Sequence, residues 1–404
     1  MADEGVAYEP ISVREVLTEL KDTAELLIDL SYSAVLLDSE AIAGVVLDLE
    51  DELDVLGMQA RMSLLVAARN PEDARQLAPV LGVVGATETI ANAAGDIASV
   101  VLEEVGLPPG MRGSLPEAVE SIVRAEIAPG AALVGPTLGE RNLETDAGVR
   151  VIALERDGSW HLDPGAETRL RPGDAVLFRG PEDGLDAVYP EATGEAYAPP
   201  VVDDQTTEDL QRAMDTLVLM KNVSELAVDL AYGAVLFDDE EVAREVLELE
   251  AEVDALQSRL VAWTLRAAAR VENPIELRGL VQIANSSEAI SDAALQISEG
   301  VLRGIDAHPV VAAAVEDSDE VIARVVVGPD SALDGTTLGD REVKTETGMR
   351  VIAVRTAGAR GTDDEPDWVV SPDADTPLVA GDVLLAKGTR SGADRLRDLA
   401  GQTD

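Results

Sequence analysis

The chain has 404 residues, 78 Asp plus Glu against 31 Lys plus Arg, a formal net charge of −47, two histidines and no cysteine. These numbers exclude disulfides, thiolate chemistry, Cys-ligated zinc and iron–sulfur clusters. They leave little room for a histidine-based site at His161 or His308, and set the chain against nucleic-acid backbones and against a polybasic membrane anchor.

With 46% hydrophobic residues the chain can still bury real cores. Its length suits several domains. Only Lys21, Lys221, Lys344 and Lys387 are lysines; the other cations are arginine. Carboxylates spread along a lysine-poor chain read as adaptation to high cytoplasmic salt, of the halophilic type, because screening removes self-repulsion. The acidic start, Met1 to Gly5, has no apolar stretch, so no signal peptide is expected. No window approaches 18 uncharged apolar residues, so no direct membrane insertion is expected.

Taken in chain order, Val13, Val16, Leu17, Leu20, Ala24, Leu27, Ala34 and Val35 follow helical spacing. Asp38-Ser39 breaks it, and Ile42, Val45, Val46, Leu49, Leu53 and Leu56 form the stripe of a second helix. Asn70-Pro71 reads as an N-cap with proline at the first position of a third helix, reaching about Val105. Short loops between long helices predict an up-down-up bundle. The pattern then turns to strands: Val123–Ile127, a short helix at Thr137–Leu143, a hairpin of Val149–Glu155 and Trp160–Leu162 around Asp157-Gly158, a strand at Ala175–Arg179, and a closing helix at Asp183–Val188.

Shifted by 200 residues, the sequence matches itself. Residues 20–56 and 220–256 are identical at about half their positions, and TLGERNLETDAGVRVIAL (137–154) meets TLGDREVKTETGMRVIAV (337–354). Trp160 pairs with Trp368 and Gly173-Asp174 with Gly381-Asp382 at an offset of 208, so copy two carries a loop insertion near Gly361–Pro366. Copy two repeats the strands at Ile322–Val327, Arg350–Arg355, Trp368–Val370 and Val383–Ala386, and repeats the cap at Asn273-Pro274. The expected domains are 10–106, 117–190, 207–304 and 316–402, with a Pro- and Gly-rich linker at 191–206.

The β-rich part resembles the TrkA C-terminal (RCK-C) domain family. The resemblance rests on Gly135-Pro136-Thr137-Leu138-Gly139 and Gly335-Thr336-Thr337-Leu338-Gly339, on RVIA at Arg150–Ala153 and Arg350–Ala353, and on Pro172-Gly173-Asp174 and Ala380-Gly381-Asp382. The helical part is similar to the PhoU family through acidic pairs four residues apart: Glu25/Asp29, Glu225/Asp229, Glu50/Asp54, Glu250/Asp254 and Glu288/Asp292. Copy one departs there, since Glu88 is followed by Asn92. Together they imply an α+β chain: two copies of a PhoU-like three-helix bundle, each followed by a small RCK-C (TrkA-C) domain, a combination similar to an archaeal family linked to ion transport.

The resemblance implies a cytoplasmic regulatory subunit or ligand sensor of a cation transport system, chiefly potassium, working at the membrane through a transporter or channel subunit. Its RCK-C domains would pair as an intramolecular pseudo-dimer or a homodimer. It also admits a PhoU-like metal-binding adaptor in phosphate or divalent-cation signalling, and a receptor for a cyclic dinucleotide, cyclic di-AMP. No G-x-G-x-x-G follows a strand and no P-loop occurs, so NAD or ATP gating does not carry over.

Carboxylates four apart on a helix can share a hard cation, which makes Glu25, Asp29, Glu225, Asp229, Glu288 and Asp292 candidate ligands for a divalent metal or K⁺. A helical wheel also puts Glu25 and Asp29 in the middle of the polar face, where solvent alone accounts for them. Arg141, Arg150, Arg341 and Arg350 recur in both copies and could grip an anion bidentately, or form salt bridges with the many carboxylates. Trp160 and Trp368 are expected to pack in hairpins. No G-x-S-x-G occurs and no carboxylate pair stands out, so an enzyme is not expected.

Overall fold

The computed structural model describes residues 12–68, 70–103, 105–107, 121–162, 164–198, 208–271, 273–305, 309–318, 320–356 and 368–402. His308, the copy-two insertion and residues 199–206 of the expected linker lie outside the described residues. The chain does not divide into copy one and copy two. One compact unit spans Met1–Leu115 with Val202–Ser318; the other spans Pro116–Val201 with Asp319–Asp404. Like parts of the two copies therefore join each other.

The helical unit contains α1 (Val13–Leu37), α2 (Glu40–Ala67) and α3 (Pro71–Leu102) from copy one. Copy two supplies α7 (Glu208–Phe237), α8 (Glu240–Ala268) and α9 (Arg278–Leu302). The first loop of each bundle is set by aspartates in the left-handed region, Asp38 and Asp238, each followed by a side-chain cap, Ser39 on the Ile42 amide and Asp239 on those of Glu241 and Val242. The expected apolar stripes are buried: Leu20, Leu27, Ile42, Leu53, Ile90 and Ile97 are at most 1% exposed. Truncating such a side chain to Ala costs about 2–5 kcal/mol. The two bundles join chiefly where α3 packs on α9. Gly279 marks one close approach, since a Cβ there would lie 2.5 Å from the Gly106 carbonyl.

Three features differ from expectation. Copy two does not start its third helix at Asn273-Pro274: Pro274–Leu277 forms a 3₁₀ turn, and the Asn273 amide donates to Glu276 at 2.8 Å instead of capping. A further helix, α10 (Pro309–Asp317), packs on α1 and α7. Leu77–Leu102 is long and apolar enough to cross a membrane by length and composition. More than half of that window is buried in the bundle, because α3 packs against α1, α2 and α9, and it carries Glu88 and Asp96.

In the α+β unit, copy one forms an antiparallel sheet in the order β1-β4-β2-β3 from β1 (Ser121–Glu126), β2 (Arg150–Arg156), β3 (Ser159–Leu162) and β4 (Ala175–Gly180). Copy two repeats that order with β5 (Val321–Val326), β6 (Arg350–Arg355), β7 (Trp368–Val370) and β8 (Val383–Gly388). Asp157 and Gly158 both have positive φ, as the type I′ hairpin turn requires. Short helices α4 (Leu138–Arg141), α5 (Leu143–Ala147) and α6 (Glu182–Thr193) flank the first sheet; α11 (Val343–Thr347) and α12 (Arg390–Leu399) flank the second. Thr137 and Glu140 close a capping box on α4. The helix α6 runs past Pro190, so the linker starts later than Pro-rich composition implied; the carbonyls of Glu191 and Ala192 accept from Leu133 and Ala128 and hold that end in the module.

Candidate functional site

The family-like motifs of the α+β modules are mostly architectural. Gly173 and Gly381 adopt φ of 89° and 95°, which favours glycine. The following Asp174 is almost fully buried, accepts from the Arg171 amide at 2.8 Å and takes a forked pair from Arg156 at 2.8 and 2.6 Å. That pairing holds the Asp174 carboxyl below its usual range, against the opposing effect of burial.

Arg150 and Arg350 have a different setting. In both copies the ladder slips by one residue just after these arginines, leaving Ile152 and Ile352 unmatched. Such bulges re-aim neighbouring side chains. The register then places Arg150 opposite Arg179, and Arg350 opposite Lys387. Like charges directly opposite each other are unfavourable in a sheet. Both pairs line one small cavity of about 30 Å³ shared by the two modules, whose wall also includes Lys344, Glu144 and Glu320. The Glu320 carboxylate lies 3.2 Å from Lys387 Nζ and 3.9 Å from both Arg150 and Arg179. The helices α5 and α11 pack together across the seam, bringing Glu144 and its counterpart Lys344 into the same wall. A second cavity of about 270 Å³ shares Glu144 and Arg150 and is otherwise largely apolar, with Leu138, Val149, Val151 and Pro164.

Arg141 and Arg341 are not in that cavity's lining. Arg141 pairs with Glu191 and Arg341 with Glu346, the salt-bridge alternative open at the sequence level. Arg179, Lys387, Lys344, Glu144 and Glu320 were missed as site residues. Lysine scarcity was the available signal for two of them, and charge reversal between residues 144 and 344 for a third.

In the helical unit the acidic pairs of α1 and α7 do not sit on a solvated face. Asp29 and Asp229 are 5% and 3% exposed, so neither lies on the water-facing side that a single-helix wheel assigns. Glu25 forms an ion pair with Lys21 at 2.9 Å, and Glu225 pairs with Lys221. Each lysine also crosses to the other copy's tyrosine: Lys21 lies 5.4 Å from the Tyr232 ring centroid and Lys221 lies 5.2 Å from that of Tyr32. Reciprocity of this kind is the mark of a two-fold interface. Burial pushes the Tyr32 phenol up, while its hydroxyl meets that of Ser287 at 2.7 Å.

Glu288 and Asp292 face Glu250 and Asp254 across α8 and α9. Burial, then the neighbouring carboxylates, raises Glu288 and Glu250. In copy one burial, followed by Asp54, Asp96 and Asp51, pushes Glu50 up to about 7. Glu88 instead receives a forked pair from Arg61. Among the described residues, no three acidic or histidine side chains are grouped so as to hold a metal ion.

The PhoU domain model matches residues 17–101 and 217–301, and the TrkA-C domain model matches 122–192 and 322–401. The chain carries two PhoU domains and two TrkA-C domains. Both are regulatory rather than catalytic domain types. Among solved structures, PhoU from Pseudomonas aeruginosa is similar at 13% identity, over 72% of this chain and 96% of that one, with a TM-score of 0.41. The GsuK RCK domain matches at 16% identity over 70% and 64%, with a TM-score of 0.18. The GsuK channel bound to NAD matches at 14% over 80% and 66%, with a TM-score of 0.19. This chain therefore spans just under two thirds of the GsuK chains. A comparison with curated proteins gives no match.

Proposed function

We propose that this protein is a cytoplasmic regulatory subunit of a cation transport system, with potassium as the cation, in which the paired TrkA-C domains sense an anionic ligand. The carrying observation is the shared cavity with Arg150, Arg179, Arg350, Lys387 and Lys344 in its wall, against Glu144 and Glu320. In a chain of net charge −47, five cations around one small cavity are a local reversal of sign. Paired guanidinium groups suit phosphate oxygens bidentately, and the adjoining apolar cavity suits a flat ring, which together favour cyclic di-AMP as the first ligand to try. Arg141 and Arg341 serve the modules as salt-bridge residues under this reading.

Two measurements test it. Pull-down from membranes in high salt should recover a cation transporter or channel subunit; recovery of soluble partners alone would count against transport regulation. Titration calorimetry with cyclic di-AMP in molar KCl should give saturable heat that is lost in the Arg150→Ala/Arg350→Ala double variant. Absence of heat at high protein concentration sinks the cyclic dinucleotide.

A second reading, a PhoU-like metal adaptor, is favoured by Glu250 and Glu288, which burial and then the neighbouring carboxylates Asp254 and Asp292 hold above the usual carboxylate range. The pairs Glu25/Asp29 and Glu225/Asp229 are weaker ligands for divalent metal or K⁺, because Lys21 and Lys221 already occupy Glu25 and Glu225. Elemental analysis after dialysis decides this; a stoichiometry near zero ends it.

A further inference from the structure

We propose that Glu320 is a tethered carboxylate that holds the basic cavity between the two TrkA-C domains until an entering anion displaces it. The proposal rests on the ligand-sensing reading above and assigns that site its regulation. Two like-charged cross-strand pairs, Arg150/Arg179 and Arg350/Lys387, need negative charge nearby to be tolerated. Glu320 supplies it to cations from both modules at once, through Lys387 of copy two and Arg150 and Arg179 of copy one.

Arg156 and Asp174 in the same unit show a pair closed on one partner, forked at 2.8 and 2.6 Å. Glu320 is instead shared among three cations, 3.2 Å from Lys387 Nζ and 3.9 Å from Arg150 and from Arg179. A phosphate group offers more acceptor oxygens than one carboxylate and can engage both guanidinium forks. Glu320 also stands just before β5 begins at Val321, outside the ladder, so its side chain can leave without breaking a strand pair. In the chain, one residue separates it from Ser318, whose hydroxyl accepts from Lys21 Nζ at 2.6 Å and donates to Asp22 in the helical unit. Glu120, the matching residue of copy one, lies outside the described residues.

The test is calorimetry on the full chain in molar KCl, with cyclic di-AMP and inorganic pyrophosphate as separate probes, on the wild type, Glu320→Gln, Glu320→Asp and a control, Glu316→Gln. Removing an internal competitor raises apparent affinity by the reciprocal of the fraction of time the site was free of it, so Glu320→Gln should bind at least one probe about fivefold to tenfold more tightly. Glu320→Asp keeps the charge with a shorter reach and should fall between; Glu316→Gln should match the wild type. Glu320→Asp also covers the case in which Glu320→Gln fails to fold. If wild type and Glu320→Gln bind equally, or Glu320→Gln binds more weakly, the latch is overturned while ligand sensing stands. If no variant binds either probe, anion sensing at this cavity falls and the latch falls with it.

Discussion

In the helical unit each seam lysine is closed off. Lys21 meets Glu25, Ser318 and the Tyr232 ring, and Lys221 meets Glu225 and the Tyr32 ring, each with at most 5% exposure. In the α+β unit the seam cations outnumber the carboxylates around their cavity, and like charges face each other across the strands. The same duplication has thus produced one seam in which each lysine is enclosed between a carboxylate and a ring, and one in which cations crowd a shared cavity. An enclosed lysine fixes geometry; a cavity wall of concentrated positive charge is the more sensitive to its surroundings.

The largest expected effect comes from breaking a closed node. Lys21→Met leaves Glu25 and Asp22 without their buried partner and should cost about 3–5 kcal/mol, the scale for orphaning a buried charge. Denaturant unfolding should show a lower midpoint at unchanged slope. A loss below about 1 kcal/mol, the scale of an exposed pair, would mean the node is not closed in solution.

A smaller effect is expected at the open seam. Lys344→Glu puts a third carboxylate into the wall that holds Glu144 and Glu320, where a like-charge contact near the surface is worth about 1–4 kcal/mol. The swapped variant, Glu144→Lys with Lys344→Glu, should recover most of the loss. The deficit should shrink as KCl rises from 0.1 M to molar levels, since the screening length shortens to about 3 Å. Failure of the swap to rescue would separate Lys344 from Glu144 and weaken the view that opposite charges match the two modules to each other.

The smallest effect concerns pH. Glu50 holds its proton to about 7 in the folded chain, against 4.5 for an ordinary glutamate. Between those values the folded state binds more protons than the unfolded one, so this residue's contribution to stability declines as pH rises through that window. Glu50→Gln should therefore melt higher than wild type at pH 8, with the gap closing as pH falls toward 4.5. Equal gaps at pH 8 and pH 5 would show that Glu50 is not raised.

The fold was largely legible because its signals are local. The stripe from Val16 to Val35, the Asp157-Gly158 turn and the repeated glycine blocks each act over a few residues. The site was legible only in part. Arg150 and Arg350 could be singled out because they repeat, yet nothing in the sequence separates them from Arg141 and Arg341; the strand bulges do. The wheel misplaced Glu25 and Asp29 because it knows one helix, whereas the packing of neighbouring helices on α1 decides which side of it meets water. Helix α10 escaped notice because VVAAAV in Pro309–Asp317 is apolar without a helical stripe. Glu320 looked like any other acidic residue until the cations around it came from three different strands.

The placement of the four lysines has a practical reach beyond energetics. Lys21, Lys221 and Lys387 are at most 7% exposed, and Lys344 lies in the cavity wall. Apart from the amino group of the first residue, a reagent that acylates primary amines thus finds its targets only along the two seams. Such a reagent, followed by mass spectrometry of peptides bearing each lysine, becomes a site-resolved clock for breathing of the helical seam and of the α+β seam independently, with no engineered label.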